Sequence, residues 1–203
     1  MQDTIQLSPP NLKGGISLAE AVAGRRSVRK FRPGALSLSE LSQLLWSAQG
    51  ITEPRWGLKA VPSAGATYPL EVFVVCGQDS VEGVGAGVYH YEIDSHLLKL
   101  HHQGDLRAEL AGVALGEEGI IQAPVSLVIC AEYERTMDRY GERGQRYVHM
   151  EVGHAGQNIY LQATALGLDT FAIGAFYDEQ VRTVLRLDKR YRPLYIMPVG
   201  RPT

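Results

Sequence analysis

The stretch RYVHMEVGHAGQNIYLQATAL, running from Arg146 to Leu166 and closed by Gly167, decides how the rest of the chain is read. Small residues (Gly153, Ala155, Gly156, Ala163, Ala165) and apolar ones occupy nearly every side of it, so it reads as the longest helix, one that lets other backbones approach closely. A helix of that kind must be buried. A second subunit or the centre of a monomeric core would each satisfy it, and the segment alone leaves both open. It is not a membrane span, because Glu151, His154, Gln157, Asn158 and Gln162 interrupt the run between Tyr147 and Leu168, and spanning needs about 18 or more unbroken apolar residues. Glu151 and His154 match the Glu-x-x-His spacing of di-iron bundles, but two further helical carboxylates and a second copy of the motif are missing, so no metal is expected.

On the N-terminal side, two helices share one grammar. Ser17 with Glu20, and Ser37 with Glu40, form capping boxes ahead of the stripes Leu18-Ala21-Val22 and Leu38-Leu41-Leu44-Leu45-Ala48; the first helix stops near Gly24 and the second at Gly50, placed as a C' glycine. Residues 1–16 hold Pro9, Pro10, Gly14 and Gly15 without periodicity and read as an extended arm preceding a single domain, 17–203. Leu70 to Cys76 and Val125 to Ala131 are buried strands, and Gly87 to Tyr91 with Leu97 to Leu100 is a hairpin turning at Asp94-Ser95. Asp105 to Leu115 reads as a short helix, Glu132 to Arg146 as a polar connector, Phe171 to Ala175 as a strand, Asp178 to Leu185 as a helix capped by Asp178, and Leu194 to Val199 as the last strand. Together these predict an α+β fold with helices grouped around a sheet.

At 203 residues and 45% hydrophobic, the chain can bury one substantial core. Its 20 Lys and Arg against 22 Asp and Glu leave a net charge of -2, which argues against nucleic-acid and anionic-membrane partners. Cys76 and Cys130 each lie in an apolar run, as buried reduced thiols would, and the start Met1-Gln2-Asp3-Thr4 has neither a basic nor an apolar signal region. The expected location is cytoplasmic.

Arg25, Arg26 and Arg29 place three guanidiniums around Ser27 directly after a helix. Cations suit a helix C-terminus, and planar forks with a hydroxyl also suit a phosphate monoester; both readings stand on the residues alone. There is no phosphate-binding P-loop, no nucleophile elbow, and the glycines from Gly83 to Gly87 lack the dinucleotide fingerprint. His90, His101, His102 and His149 have no evident partners in sequence and read as surface or structural.

Several motifs, in order, resemble the nitroreductase superfamily, and more narrowly its SagB-type dehydrogenase branch: Arg25-Arg26-Ser27-Val28-Arg29-Lys30-Phe31, Pro62-Ser63-Ala64-Gly65-Ala66-Thr67-Tyr68-Pro69-Leu70-Glu71 and Gly87-Val88-Tyr89-His90-Tyr91. The later ones are Arg139-Tyr140-Gly141-Glu142-Arg143-Gly144, Glu151-Val152-Gly153-His154-Ala155-Gly156-Gln157-Asn158, Ala165-Leu166-Gly167-Leu168, Ile173-Gly174-Ala175-Phe176 and Pro198-Val199-Gly200. The likeness runs from about Ser17 to the end. It implies a nitroreductase-like FMN-binding fold, a central mostly antiparallel sheet surrounded by helices, and an intertwined homodimer with FMN at the subunit interface. The activity implied is ping-pong hydride transfer through flavin N5, with NAD(P)H as donor. An azoline or heterocycle dehydrogenase acting on a small molecule or a peptide heterocycle is the alternative, and a flavin-binding scaffold without efficient turnover is another.

By the same resemblance, Arg25, Arg26 and Ser27 hold the phosphate and ribityl end, Arg29 the pyrimidine edge, and Arg201 is a further phosphate ligand. Pro62, Ser63, Ala64 and Gly65 approach the flavin from the partner chain, and Ile173, Gly174 and Ala175 put backbone donors near N5. Arg139 and Tyr140 are the candidate catalytic pair. Azoline-oxidising members carry Lys-Tyr there, and Arg, unlike Lys, does not release its proton near neutral pH. Glu117 also stands where Gln often follows the glycine at Gly116.

Overall fold

The computed structural model describes residues 3–203; Met1 and Gln2, the start of both the arm and the stretch read for a signal, lie outside the described residues. Strands β5 (Leu70–Cys76) and β8 (Val125–Ala131) form the middle of the fold, paired antiparallel from Leu70 opposite Ala131 to Cys76 opposite Val125. Every residue of both is buried, which is why both read as unbroken apolar runs. Outward from β5 lie β6 (Gly87–Glu92), β7 (Leu97–Gln103) and β1 (Thr4–Gln6), the last formed by the arm. Outward from β8 lies β10 (Arg192–Pro202), which also pairs with β2 (Phe31–Arg32) and β9 (Asp169–Thr170). All of these pairings are antiparallel, as the resemblance implied.

Alternation along the strands builds two cores. Leu70, Val72, Val74, Leu127 and Ile129 face α2 (Leu38–Gln49) and α6 (Arg143–Ala165), while Phe73, Val75, Val128 and Cys130 face α3 (Arg107–Val113), α4 (Glu118–Gln122) and α7 (Asp178–Val184). Each large side chain fully buried there contributes ~1.5–3 kcal/mol. Two helices remain, α1 (Leu18–Gly24), which lies on α6, and α5 (Glu134–Tyr140). Both capping boxes form: the Ser17 and Ser37 hydroxyls accept the Glu20 and Glu40 N–H groups at 3.2 Å, and the glutamates accept back at 2.7 and 2.8 Å.

The structure corrects several sequence expectations. The connector before the long helix is itself mostly helix: α5 buries little beyond Thr136, so it shows no apolar period, and α6 starts at Arg143 rather than Arg146. That helix buries one face through Val148, Val152, Ala155, Ile159 and Ala163, whereas Met150, Gly153, His154 and Gln157 are exposed within the single chain. Similarly Ala21 of α1 is buried while Leu18 and Val22 are 70% and 54% exposed. The irregular stretch after α2 contains a small hairpin, β3 (Ile51–Glu53) with β4 (Leu58–Lys59).

Phe171 to Ala175 is not a strand, since the Ala172 N–H donates to the Tyr160 hydroxyl (2.8 Å) and only Ile173 bridges the sheet, to Ile196. Asp178 is the first residue of α7 rather than its cap. Among the described residues no helix is long and apolar enough to cross a membrane. Cys76 and Cys130 are unpaired and buried; burial pushes the Cys76 thiol up to about 12 and that of Cys130 in the same direction.

Gly50 terminates α2 for a reason other than the left-handed turn expected of a C' glycine. Its backbone is extended (φ -63°, ψ 152°), but an added Cβ would fall 2.2 Å from Trp46 Cδ1 and 2.7 Å from the Trp46 carbonyl oxygen. Gly50→Ala is therefore expected to lower stability by ~1–3 kcal/mol through overpacking. Urea unfolding checks this, and an unchanged midpoint would show that neither the Trp46 indole nor its carbonyl constrains the position.

Candidate functional site

The loop from Pro62 to Pro69 leads into β5 and makes a 3-10 turn at Ala64–Ala66. Three of its residues have left-handed backbone, Gly65 (φ 60°), Ala66 (φ 54°) and Tyr68 (φ 45°), and the two that are not glycine are strained by ~1–3 kcal/mol each. Helix α5 holds that shape. Arg135 Nη1 donates to the Tyr68 carbonyl (3.0 Å), Thr136 shares a hydroxyl hydrogen bond with Thr67 (2.8 Å), and Arg139 Nη1 donates to the Gly65 carbonyl (3.0 Å). A Cβ on Gly65 would lie 2.5 Å from the Tyr140 hydroxyl, so this glycine is needed for space as well as for its backbone. Tyr140 also packs edge-on against Tyr147 of α6, ring centroids 5.1 Å apart. The candidate pair Arg139-Tyr140 and the loop Pro62–Gly65 thus meet within one chain.

Tyr160 of α6 organises a second group. Its hydroxyl lies 3.0 Å from the Ser27 hydroxyl and accepts the Ala172 N–H, and the Arg25 guanidinium sits 5.2 Å from its ring centroid. Val28 N–H donates to the Thr170 carbonyl (3.1 Å), and Arg29 lies over the Phe171 ring (5.3 Å). The arginine segment therefore runs alongside the chain that leads into Ile173, Gly174 and Ala175, and Gly174 faces the Tyr195 ring. Arg26 Nη1 turns back to the carbonyls of Ala23 (2.9 Å) and Arg25 (2.7 Å), the behaviour of a cation at a helix end. Arg201 Nη2 is ion-paired with Glu40 (3.1 Å) and thereby linked to the second capping box. No hydrogen bond or ion pair joins this second group to the loop group among the described residues. Glu151 is buried and His154 exposed, and no cluster of three or more metal-ligating side chains occurs among the described residues.

Sequence reading missed the network beneath the loop. Antiparallel pairing of β5 with β6 sets Phe73 opposite His90, which brings His90 Nε2 to 2.7 Å from Glu71 Oε2; Arg135 Nη2 reaches Glu71 Oε1 at 2.6 Å and Glu132 at 2.7 Å. His90 so has the partner it lacked in sequence. Burial pushes the Glu71 carboxyl up, but the His90 hydrogen bond and the Arg135 charge outweigh it and hold the group below its ordinary value. A periodic reading of the two strands together could have found the Glu71–His90 pair; Tyr160 carried no local signal.

The chain is an α+β fold on an antiparallel sheet with an arginine-bearing segment beside it, and comparison with known proteins gives its family. Residues 22–201 match the nitroreductase family. The nitroreductase-family protein MJ1384 of Methanocaldococcus jannaschii is 48% identical over 201 residues, covering 99% of this chain and 98% of that protein. A nitroreductase-type structure from Ralstonia eutropha superposes with a TM-score of 0.86 at 25% identity, covering 100% of this chain and 90% of the other. The microcin B17-processing protein McbC of Escherichia coli is 30% identical over 169 residues, 81% of this chain but only 62% of McbC. A chain of the Escherichia coli microcin synthetase McbBCD complex with truncated pro-MccB17 bound gives a TM-score of 0.76 at 28% identity, covering 97% of this chain and 77% of that one. The chain belongs to the nitroreductase family.

Because Glu71 anchors Arg135, and Arg135 the loop, Glu71→Gln is expected to destabilise the fold at neutral pH by ~1–3 kcal/mol, less than for a fully buried pair because Arg135 keeps Glu132. A depressed folded pKa stabilises above the unfolded value near ~4.3 and loses that effect as pH falls through the folded value. The Tm difference between wild type and variant should accordingly shrink on acidification; a constant gap from neutral to strongly acid pH would count against the network.

Proposed function

We propose that this chain is an FMN-dependent oxidoreductase that works as a homodimer, with NADH or NADPH as electron donor. The observation that carries this is the arginine segment. Arg25, Arg26 and Arg29 form no ion pair with a carboxylate among the described residues, whereas Arg107, Arg135 and Arg182 do. Guanidinium forks without a carboxylate partner beside a serine hydroxyl fit a phosphate monoester, and two of them, Arg25 and Arg29, lie over the rings of Tyr160 and Phe171.

In this reading Arg25, Arg26 and Ser27 grip the phosphate and ribityl chain, and Arg201 contributes the N–H groups that Glu40 leaves free. Arg29 faces the pyrimidine edge, where a cation favours the reduced ring. The Ile173 N–H is committed to the Ile196 carbonyl (2.9 Å), which leaves Gly174 and Ala175 to provide backbone donors, and Pro62, Ser63, Ala64 and Gly65 close the site from the partner chain. The chemistry that FMN supplies when bound is two-electron hydride transfer at N5. The homodimer is supported by the uncovered apolar surface, with Leu18, Val22 and Met150 each more than half exposed and Leu161 and Ala165 lining a groove with Trp46. Buried, unpaired cysteines support a reducing, cytoplasmic setting.

Oxidation of a heterocycle, in a small molecule or a peptide, is the second reading, favoured by the likeness to McbC and by Tyr140 beside the loop, and opposed by Arg139 where azoline-oxidising members carry Lys. There Tyr140 would be the proton-bearing partner of the pair.

Purified protein should carry about one FMN per chain; released FAD or riboflavin would overturn the assignment. Arg25→Ala should weaken FMN binding by ~1.5–3 kcal/mol, the range for a charge-assisted hydrogen bond, while Arg29→Ala should chiefly lower the flavin midpoint potential. Equal effects of both on affinity, with no change of potential, would show the two roles to be misassigned. In stopped-flow measurements, Tyr140→Phe should slow only the half-reaction with a heterocyclic substrate. Unchanged rates in both halves would leave the plain reductase.

A further inference from the structure

The chain on either side of Tyr160 is pinned before the tyrosine meets it. The Thr170 hydroxyl donates to the Pro198 carbonyl of β10 (2.7 Å), and the Thr170 carbonyl accepts the Val28 N–H (3.1 Å), so that Ser27 lies beside Thr170 in a parallel bridge. Two residues on, the Ala172 N–H donates to the Tyr160 phenol oxygen (2.8 Å), and that oxygen is 3.0 Å from the Ser27 hydroxyl oxygen.

Counting hydrogens gives this chain of bonds a direction. A tyrosine hydroxyl has one hydrogen to donate and accepts through the same oxygen. With the Ala172 N–H already on that oxygen, the phenol hydrogen needs an acceptor, and Ser27 Oγ is the one side-chain partner of the Tyr160 hydroxyl among the described residues. Donation from Ser27 to Tyr160 would instead put two donors on one phenol oxygen and leave its own hydrogen without a protein acceptor. A phenol is also more acidic than an aliphatic alcohol and so is the better donor of the two.

We propose that Tyr160 is a positioning residue, which accepts from Ala172 and donates to Ser27, and so leaves the Ser27 hydroxyl hydrogen free to donate to a phosphate oxygen. That the phosphate is the terminal group of FMN rests on the function proposed above. The Ser27 hydroxyl makes no other hydrogen bond among the described residues and stands exposed beside Arg25, whose guanidinium lies over the Tyr160 ring. One side chain of α6 thereby aims a hydroxyl and carries a guanidinium at the same end of the ligand. Each bond in the relay from Ala172 through Tyr160 to Ser27 polarises the next.

Tyr160→Phe removes the hydroxyl and keeps a ring beneath Arg25, which isolates the relay. Two measurements test the proposal. In the first, FMN and riboflavin are titrated separately into protein stripped of flavin, and the ratio of the two affinities is read, because any change at the Ala172 end acts on both flavins alike and cancels. The preference for FMN should fall roughly 3- to 10-fold in Ser27→Ala and about 2- to 5-fold in Tyr160→Phe, where the donor remains but is no longer aimed. Combining the two should cost nothing beyond Ser27→Ala alone. An unchanged ratio in Tyr160→Phe, or two losses that multiply, reduces the tyrosine to packing and overturns the proposal.

The second measurement is made on the apoprotein. In ultraviolet resonance Raman spectra the phenol ring doublet distinguishes a hydroxyl that donates from one that accepts, and the wild-type minus Tyr160→Phe difference isolates Tyr160. The same difference taken in a Ser27→Ala background should move toward the accepting pattern, since the donated bond is lost while the Ala172 N–H remains. Movement toward the donating pattern, or none, overturns the proposal. Protein that binds neither flavin, yet shows the shift toward accepting, overturns the FMN reading and upholds the relay. Should Tyr160→Phe fail to fold, the direct difference between wild type and Ser27→Ala decides by the direction of the same shift.

Discussion

The register of β5 against β8 is the constraint on which the rest depends. Leu70 opposite Ala131 fixes where the chain enters one strand and leaves the other, so the Glu132 N–H meets the Pro69 carbonyl at 2.9 Å. From that point α5 runs back along the incoming loop, Arg135 at Tyr68, Thr136 at Thr67 and Arg139 at Gly65. A one-residue slip would send every core side chain to the opposite face of the sheet and move the helix off the loop. Backbone that would otherwise relax out of its left-handed conformations is held by a neighbour whose position the sheet has already determined.

Helix α6 carries the second half of that logic. Tyr147, near its beginning, packs on Tyr140 beside the loop, and Tyr160 gathers the arginine segment and the chain before Ile173. With a rise of ~1.5 Å per residue, Tyr147 and Tyr160 stand ~20 Å apart along the axis. Both halves hang on one rigid rod, so their separation is set by helix geometry and not by the loops.

The elements with strong periodicity or capping chemistry were readable from residues alone: β5, β8, α1 with its Ser17 and Glu20, and α2 with Ser37 and Glu40. Helix α5 was not, because a short helix packed on a loop buries few side chains and satisfies much of its partner through guanidinium and hydroxyl groups that look like a solvated connector. Tyr160 illustrates the same limit, since its work lies in three long-range contacts that local sequence does not encode. Gly50 was seen as a helix terminator, yet its cause, the indole of Trp46, belongs to side-chain packing. The arginine segment left two readings open, a helix-end cation and a phosphate site; Arg26 bonds to helix-end carbonyls as the first has it, while Arg25 and Arg29 lie over aromatic rings.

The sheet ends in strands of only three and two residues, β1 and β2. Short borders matter because an open ladder is a template on which another chain can grow. Strand β7 would be such a border, seven residues long, were β1 not laid along it from Thr4 opposite Lys99 to Gln6 opposite Leu97. The arm is then tied down past the strand: the Ser42 hydroxyl donates to the Ser8 carbonyl at 2.6 Å, and the Asn11 N–H donates to Gln43 at 2.8 Å. A segment with almost no core of its own thus acts as a selvedge, finishing the woven edge so that the sheet stays finite.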